Sequence, residues 1–187
     1  MAMSLLLLVA TSGTAPAGPY SYLLPPADKC GGSLQTDPTQ SAETQEAVML
    51  CLHNYARRKV GRARLTSASK LVTSSGRKAI DLRGCPKSQR DTNAHYCGPG
   101  GVWYRSEQAG YCYRSVGENV FWGFATSDRY TPSPRKAMDG WLNSTGHRNN
   151  LLSSNFTQAG FGLAKGQLTG VSYSYGRSWV AHFGRPC

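Results

Sequence analysis

Apolar residues recur at helical spacing in three stretches of the chain. These stretches are residues 42–59, residues 67–84 and residues 133–143. Ser67 is placed to cap the second stretch, and Ser133 followed by Pro134 is typical of a helix start, because serine accepts a hydrogen bond from an unpaired N–H and proline has none to lose. The pattern therefore predicts three helices.

The end of the third helix is the stretch around which the rest of the chain is organised. Residues 140–152 read GWLNSTGHRNNLL, and Gly146 is expected to break the helix so that His147 projects from a turn. In the second helix, the small pair Ser75 and Gly76 indicates either the close approach of another backbone or room for a side chain from a cleft.

The C-terminal third of the chain has strand-like composition. Residues 156–164, 170–175 and 178–184 are expected to form consecutive antiparallel strands. Their alternation of apolar and polar residues is modest, which favours a sheet covered by helices on both faces. Residues 85–112 contain CGPGG and are expected to form a long irregular loop.

Length and terminal composition divide the chain into three parts. A chain of 187 residues fits one globular domain. Residues 1–17 carry a short apolar run followed by Ala-Pro-Ala, which is typical of a signal peptide and too short to span a bilayer. We expect residues 18–41 to form an extended arm and residues 42–187 to form the domain, with no transmembrane segment in the mature chain.

Six cysteines support an exported protein with three disulfides. Six cysteines allow fifteen pairings, and no Cys/His spacing typical of zinc competes with disulfide formation. The local pairs are Cys30 with Cys51 and Cys85 with Cys97, which leaves Cys112 with Cys187. We expect a secreted, monomeric protein.

The net charge of +11 favours anionic partners. Basic residues are scattered, with one dense cluster at residues 57–64, which is more simply explained as the solvated end of a helix. A basic polyanion-binding protein stays open as an alternative, and we do not expect nucleic acid to be its partner.

Three side chains are candidates for a common cleft: His95 in NAHYCGPG, Glu118 in VGENVFWG and His147. His182, in WVAHFG, is interpreted as a packing residue of a strand and is left out of the site. Tyrosines and tryptophans around Glu118 are expected to form core and cleft walls: Trp103, Tyr104, Tyr111, Tyr113 and Trp122.

The order of VGENVFWG, AMDGWLNSTGHRNNLL, FTQAGFGLA and WVAHFG resembles the CAP superfamily of cysteine-rich secretory, antigen 5 and pathogenesis-related proteins, in its bacterial form. The resemblance covers about residues 45–184 and implies an α+β fold, a three-layer α-β-α sandwich with a central antiparallel sheet. In many members the cleft holds two histidines and two glutamates that can bind a divalent cation. The matching residues here are His95, Glu118 and His147, whereas Ser144 stands where the second glutamate would be.

Three functions follow as alternatives. The first is a secreted binding module whose cleft holds a small apolar, lipid-like or envelope-derived ligand, with Zn²⁺ or another divalent cation bound weakly by His95 and His147. The second is a metal-assisted hydrolase, a peptidase or phosphodiesterase, with Glu118 as a third ligand, an orienting group or a general base and His147 as a second candidate catalytic residue. In the third, the protein is a polyanion binder. Glu118 can also be purely structural, tying its segment to the histidine loops.

Overall fold

The computed structural model describes residues 18–187, so the predicted signal peptide lies outside the described residues. The elements, in chain order, are α1 (Ala42–Lys59), β1 (Thr66–Ser67), α2 (Ser69–Gly84), α3 (Lys87–Asn93), α4 (Val102–Gln108), β2 (Tyr113–Ala125), α5 (Pro134–Asn143), α6 (Thr145–Leu152), β3 (Gln158–Lys165) and β4 (Tyr175–Pro186).

The strands form one sheet in the order β1-β3-β4-β2. Strand β4 lies in the centre and pairs antiparallel with both β2 and β3, while the two-residue β1 adds a short parallel pair to β3. Strand β2 therefore forms one edge. The expected α+β class and central antiparallel sheet are confirmed.

The two faces of the sheet are covered by different helices, which makes the three layers. Helices α1 and α5 pack on one face, where Trp141 of α5 is buried in the same core as Trp179 and Phe183 of β4. Helix α2 packs on the other face, where Val120 and Val180 are buried. The sequence alternates between these two apolar faces along β2 and β4, because successive side chains of a strand point to opposite sides.

Helix α2 lies unusually close to β3 because two glycines leave room for its backbone. A Cβ at Gly160 would lie 2.1 Å from the carbonyl carbon of Leu71, and one at Gly162 would lie 2.4 Å from that of Ser75. The backbone at Ser75 is thus closely approached by a strand, one of the two interpretations given to the small pair, whereas a Cβ at Gly76 would meet nothing within 4 Å.

Several local predictions are wrong. Strand β2 was not anticipated, and it contains Glu118. Residues 170–175 are almost entirely outside the strands, and the segment 85–112 contains the short helices α3 and α4 instead of being irregular throughout. Ser67 lies in β1, and Ala68 is the N-cap of α2.

The helix break before His147 is also placed differently. Helix α5 ends at Asn143, and Ser144 is both its C-cap and the N-cap of α6. Gly146 therefore does not break a helix, and His147 lies in the first turn of α6. By contrast, the bounds of α1 and the capping of α5 by Ser133 agree with the prediction.

Three disulfides brace the domain, and they join the pairs expected from the sequence: Cys30–Cys51, Cys85–Cys97 and Cys112–Cys187. The N-terminal arm is not simply extended, since it forms short 3₁₀ helices at Ser21–Leu23 and Gly32–Gln35. Leu23 is buried in the same core as α1, because the arm packs on the domain. Between residues 18 and 187, no helix is both long and apolar enough to cross a membrane.

Candidate functional site

Glu118 lies near the middle of the edge strand β2, on the face that α2 covers. Its side chain is only 5% exposed. Glu118 is paired in register with His182 on β4, so both side chains point to the same face of the sheet. A buried carboxylate needs hydrogen-bond donors to remain charged, and two histidines provide them.

Both carboxylate oxygens of Glu118 accept hydrogen bonds from imidazoles. Nδ1 of His95 lies 2.7 Å from Oε1, and Nε2 of His182 lies 2.8 Å from Oε2. On its other side, Nδ1 of His182 lies 2.8 Å from the hydroxyl oxygen of Ser74 on α2. The carboxylate thus links a surface histidine to a histidine that is fully buried.

The protonation states follow from these contacts. Burial alone would raise the pKa of Glu118, but the hydrogen bonds from His182 and His95 lower it to about 2. Burial lowers the pKa of His182, which is therefore neutral at pH 7. A neutral His182 donates a hydrogen bond from Nε2 to the carboxylate and accepts one at Nδ1 from the Ser74 hydroxyl, so each side chain in this series of hydrogen bonds has a partner.

The loop that carries His95 is held in place by Lys78, which lies on the buried side of α2. The buried ammonium group of Lys78 donates to the carbonyl oxygens of Ala94, His95 and Cys97 at 2.9, 2.8 and 2.9 Å. Burial lowers the pKa of Lys78 to about 8, so the amine is still mostly charged at neutral pH. The Cys85–Cys97 disulfide closes the same loop.

Helix α6 is fixed to the edge of β2 by side-chain amides. Asn150 donates to the Glu118 carbonyl at 3.1 Å, and Asn119 donates to the His147 carbonyl at 2.9 Å. The indole N–H of Trp141 donates to the Val120 carbonyl at 3.0 Å. The bonds from Asn150 and Trp141 satisfy main-chain carbonyls of the edge strand, and the bond from Asn119 holds His147 beside it.

His95 and His147 meet at this edge. Their ring centroids are 6.2 Å apart, and the His95 side chain is 46% exposed while His147 is half-buried. Burial, followed by the neighbouring His95, lowers the pKa of His147, which favours its neutral form. Because His95 uses Nδ1 to reach Glu118, its Nε2 is the nitrogen that can face a ligand.

The residues present do not fit a lasting zinc site. A structural zinc site uses four protein ligands, and a catalytic one uses three and a water. Both oxygens of Glu118 are already hydrogen-bonded, which leaves the imidazoles of His95 and His147 as the available metal ligands. Among residues 18–187, no group of three or more His, Cys, Asp or Glu side chains is arranged to hold a metal ion.

The structure brings His95, Glu118 and His147 together. Glu118 is hydrogen-bonded to His95, and the ring of His147 lies near the ring of His95. Sequence reasoning left out His182, although a histidine in an otherwise apolar strand was the available signal. It also missed Lys78, whose charge falls on the inward stripe of α2 beside Ala79 and Leu82. Ser144 lies at the junction of α5 and α6, where it supplies no carboxylate.

A sequence profile of the cysteine-rich secretory protein (CAP) family matches residues 50–183. The chain belongs to this family. An uncharacterized protein, YkwD, of Bacillus subtilis (strain 168) is 28% identical over 130 residues, covering 70% of this CAP chain and 46% of the relative.

Solved structures of two bacterial proteins share the CAP fold. An extracellular protein with an SCP domain from Bacillus anthracis superposes with a TM-score of 0.57 at 21% identity, over 79% of this chain and 42% of that one. An outer surface protein of Borrelia burgdorferi superposes with a TM-score of 0.55 at 16% identity, over 75% of this chain and 91% of that one. The chain thus spans less than half the length of the Bacillus proteins it matches.

The basic cluster of this CAP chain is smaller than its sequence indicates. Arg57 is 1% exposed. It donates to the carbonyls of Ala63, Leu151, Ser153 and Phe156 at 2.8–3.2 Å. Arg57 therefore joins α1 to the end of α6, and the exposed cations of this region are Arg58, Lys59, Arg62 and Arg64.

Proposed function

We propose that this CAP-domain protein is secreted and acts as a binding module, whose cleft at His95 and His147 holds a small apolar, lipid-like or envelope-derived ligand. Secretion is supported by the three disulfides, which are typical of oxidising compartments, and by the extracellular and outer-surface proteins among its structural relatives. We expect a monomer with no nucleic-acid partner.

One observation carries the choice of binding over catalysis. Both oxygens of Glu118 are engaged by His95 and His182, so the carboxylate orients an imidazole and is not free to take a proton from water. All six cysteines are in disulfides, and Ser74, which contacts His182, is fully buried. Among the residues described, the cleft therefore offers recognition groups and no activated nucleophile.

The apolar part of the proposed ligand is supported by the surroundings of His95. Tyr96, the next residue, is 64% exposed, and an exposed aromatic ring beside a polar pair suits an amphipathic molecule. Of the aromatic residues expected to line the cleft, Tyr111 is buried and donates its hydroxyl to Gln158. It is therefore a packing residue.

A fluorescent fatty-acid analogue provides the test. We expect saturable binding that falls at least about fivefold on Tyr96→Ala. Tyr130→Ala is the matched control, because Tyr130 is 65% exposed but lies beyond the far end of β2, and it should leave the affinity unchanged. Absence of saturable binding, or equal losses in both variants, would contradict the proposal.

The metal-assisted hydrolase is the second candidate, and the adjacent imidazoles of His95 and His147 favour it. A cation held by two nitrogens would bind weakly and exchange readily. Under the binding-module proposal, the double variant His95→Ala/His147→Ala loses any zinc uptake, measured by elemental analysis and titration, and still binds the fatty-acid analogue saturably, although with lower affinity. Peptidase or phosphodiesterase activity that disappears in this double variant would establish the hydrolase instead.

A further inference from the structure

A small basic pocket lies between the N-terminal arm and the C-terminal half of α1. Its volume is about 240 Å³, and its walls include Lys29 from the arm, Arg58 from α1 and Arg64 from the following loop. Tyr55 and the Cys30–Cys51 disulfide complete much of the lining. None of its lining residues belongs to the histidine cleft, so the pocket stands apart from the proposed function.

The three cations converge without an acidic side chain among them. All pocket-lining residues lie in the described part of the chain, and none is Asp or Glu. The nearby Asp28 contacts Lys29 at 3.3 Å, but both side chains are more than half exposed, so solvent screens that pair. In the sequence, residues 47–80 contain eight Lys or Arg and no acidic residue.

Arg64 is held in place by anchors on both sides of it. The side-chain amide of Asn54 accepts from the Leu65 N–H at 2.7 Å and donates to the Leu65 carbonyl at 3.0 Å. The Nε–H of Arg57 donates to the Ala63 carbonyl at 2.8 Å. Both neighbours of Arg64 are thus attached to the last two turns of α1.

Lys29 is positioned in a comparable way. Its neighbour Cys30 is joined covalently to Cys51 on α1, and its own carbonyl accepts from the side-chain amide of Gln35 at 2.6 Å. The backbones that carry the pocket's cations are therefore fixed before any ligand arrives, which reduces the ordering cost of binding. A merely solvated cluster of basic residues would need no such anchoring.

We infer that this pocket binds the phosphoryl group of an anionic ligand, with Arg58, Arg64 and Lys29 as its contacts. Guanidinium groups match phosphate oxygens in a two-pronged geometry, and a phosphoryl group carries enough charge to balance three cations. The volume suits one phosphoryl group and the first atoms of its substituent. The phosphoryl group can come from a free phosphoester or from a phospholipid headgroup, and both sources share the chemistry recognised.

Calorimetric titration with pyrophosphate tests the site, and sedimentation with vesicles tests whether the phosphoryl group belongs to a free phosphoester or to a phospholipid headgroup. We expect saturable one-to-one binding that weakens as salt is raised. The double variant Arg58→Gln/Arg64→Gln should bind at least about tenfold more weakly, since it removes two charge-assisted contacts. The control Arg114→Gln/Arg129→Gln changes the net charge equally through exposed arginines outside the pocket and should bind within about twofold of the wild type.

A second variant separates a formed pocket from diffuse charge. Cys30→Ser/Cys51→Ser leaves the net charge unchanged but frees the arm, so it should weaken binding severalfold while circular dichroism reports a folded chain. Sedimentation with phosphatidylglycerol and phosphatidylcholine vesicles then identifies the source. Pocket-dependent sedimentation with the anionic vesicles but no pyrophosphate binding would assign a headgroup. Equal losses in both arginine double variants, or no saturable binding to either probe, would overturn the inference.

Discussion

Glu118 and His182 face each other across neighbouring strands, with the carboxylate Oε2 2.8 Å from the imidazole Nε2, and both side chains are buried. The same carboxylate reaches the exposed His95 through its other oxygen. The position of His95 at the surface therefore depends on a hydrogen bond made in the core.

Replacing Glu118 by glutamine should destabilise the protein by about 2–4 kcal/mol, because the buried imidazole of His182 and the partly exposed imidazole of His95 lose a charged acceptor. The pKa of Glu118 is about 2 in the folded protein against 4.5 for the free group. The unfolded chain thus takes up this proton first on acidification, so the stabilisation is complete above pH 4.5 and is lost as the pH falls toward 2. Urea denaturation at several pH values measures both effects.

Glu107→Gln is the control for that series, since Glu107 is exposed and its carboxylate accepts a hydrogen bond from the Tyr113 hydroxyl at the surface. This substitution should leave the loss of unfolding free energy between pH 4.5 and pH 2 unchanged. A Glu118→Gln protein as stable and as acid-sensitive as the wild type would show that the carboxylate does not hold the two histidines.

His53 should make the protein sensitive to mild acid. It is buried among Trp141, Phe161 and Phe183, and burial lowers its pKa to about 3 from 6.5. The unfolded chain therefore binds the proton first, and stability falls as the pH drops from about 6.5 toward 3, by up to about 1.4 kcal/mol per pH unit. His53→Leu should flatten the dependence of unfolding free energy on pH in denaturation experiments between pH 7 and pH 4. An unchanged slope would show that His53 is not the cause of the acid sensitivity.

Lys78→Met should loosen the loop that carries His95. Three buried carbonyls would lose their donor, and we expect a loss of about 2–4 kcal/mol in the free energy of unfolding. Hydrogen exchange of the amides at residues 94–97 should quicken more than elsewhere. Lys70→Met, an exposed substitution on the same helix, should change neither quantity; uniform exchange changes in Lys78→Met would argue against a local role.

Gly160→Ala should be strongly destabilising, by about 3 kcal/mol or more, because the new methyl group would lie 2.1 Å from the backbone of α2. Gly76→Ala, in α2 itself, meets nothing within 4 Å and should stabilise the protein by up to about 1 kcal/mol through helix propensity. Thermal unfolding of the two variants decides the point. Similar melting temperatures would mean that β3 and α2 are not in close backbone contact.

The sequence was sufficient for the features that depend on local chemistry. The bounds of α1, the Ser133 cap of α5 and the antiparallel class all follow from helical periodicity, capping residues and strand composition. Strand β2 was missed because its polar motif, GEN, interrupts the apolar alternation. Its polarity has a tertiary cause, since Glu118 and Asn119 are satisfied by partners on other elements.

The sequence predicted the residues of the site that stand in distinctive motifs, but not the buried residues that support them. His95, Glu118 and His147 each stand in a distinctive motif, whereas the roles of His182 and Lys78 depend on contacts 64 and 16 or more residues away. Periodicity places a residue on a face but does not reveal its partner across the sheet. The burial of Arg57 was hidden for the same reason, because its acceptors lie on a distant loop.

Strand β2 ends the sheet, yet some of its outward carbonyls are already occupied by the side chains of Trp141 and Asn150. A strand from a second molecule would have to displace an indole from the core before it could pair there. The same bonds that hold His147 in place thus discourage the chain from polymerising through that edge, in keeping with the monomer expected of it.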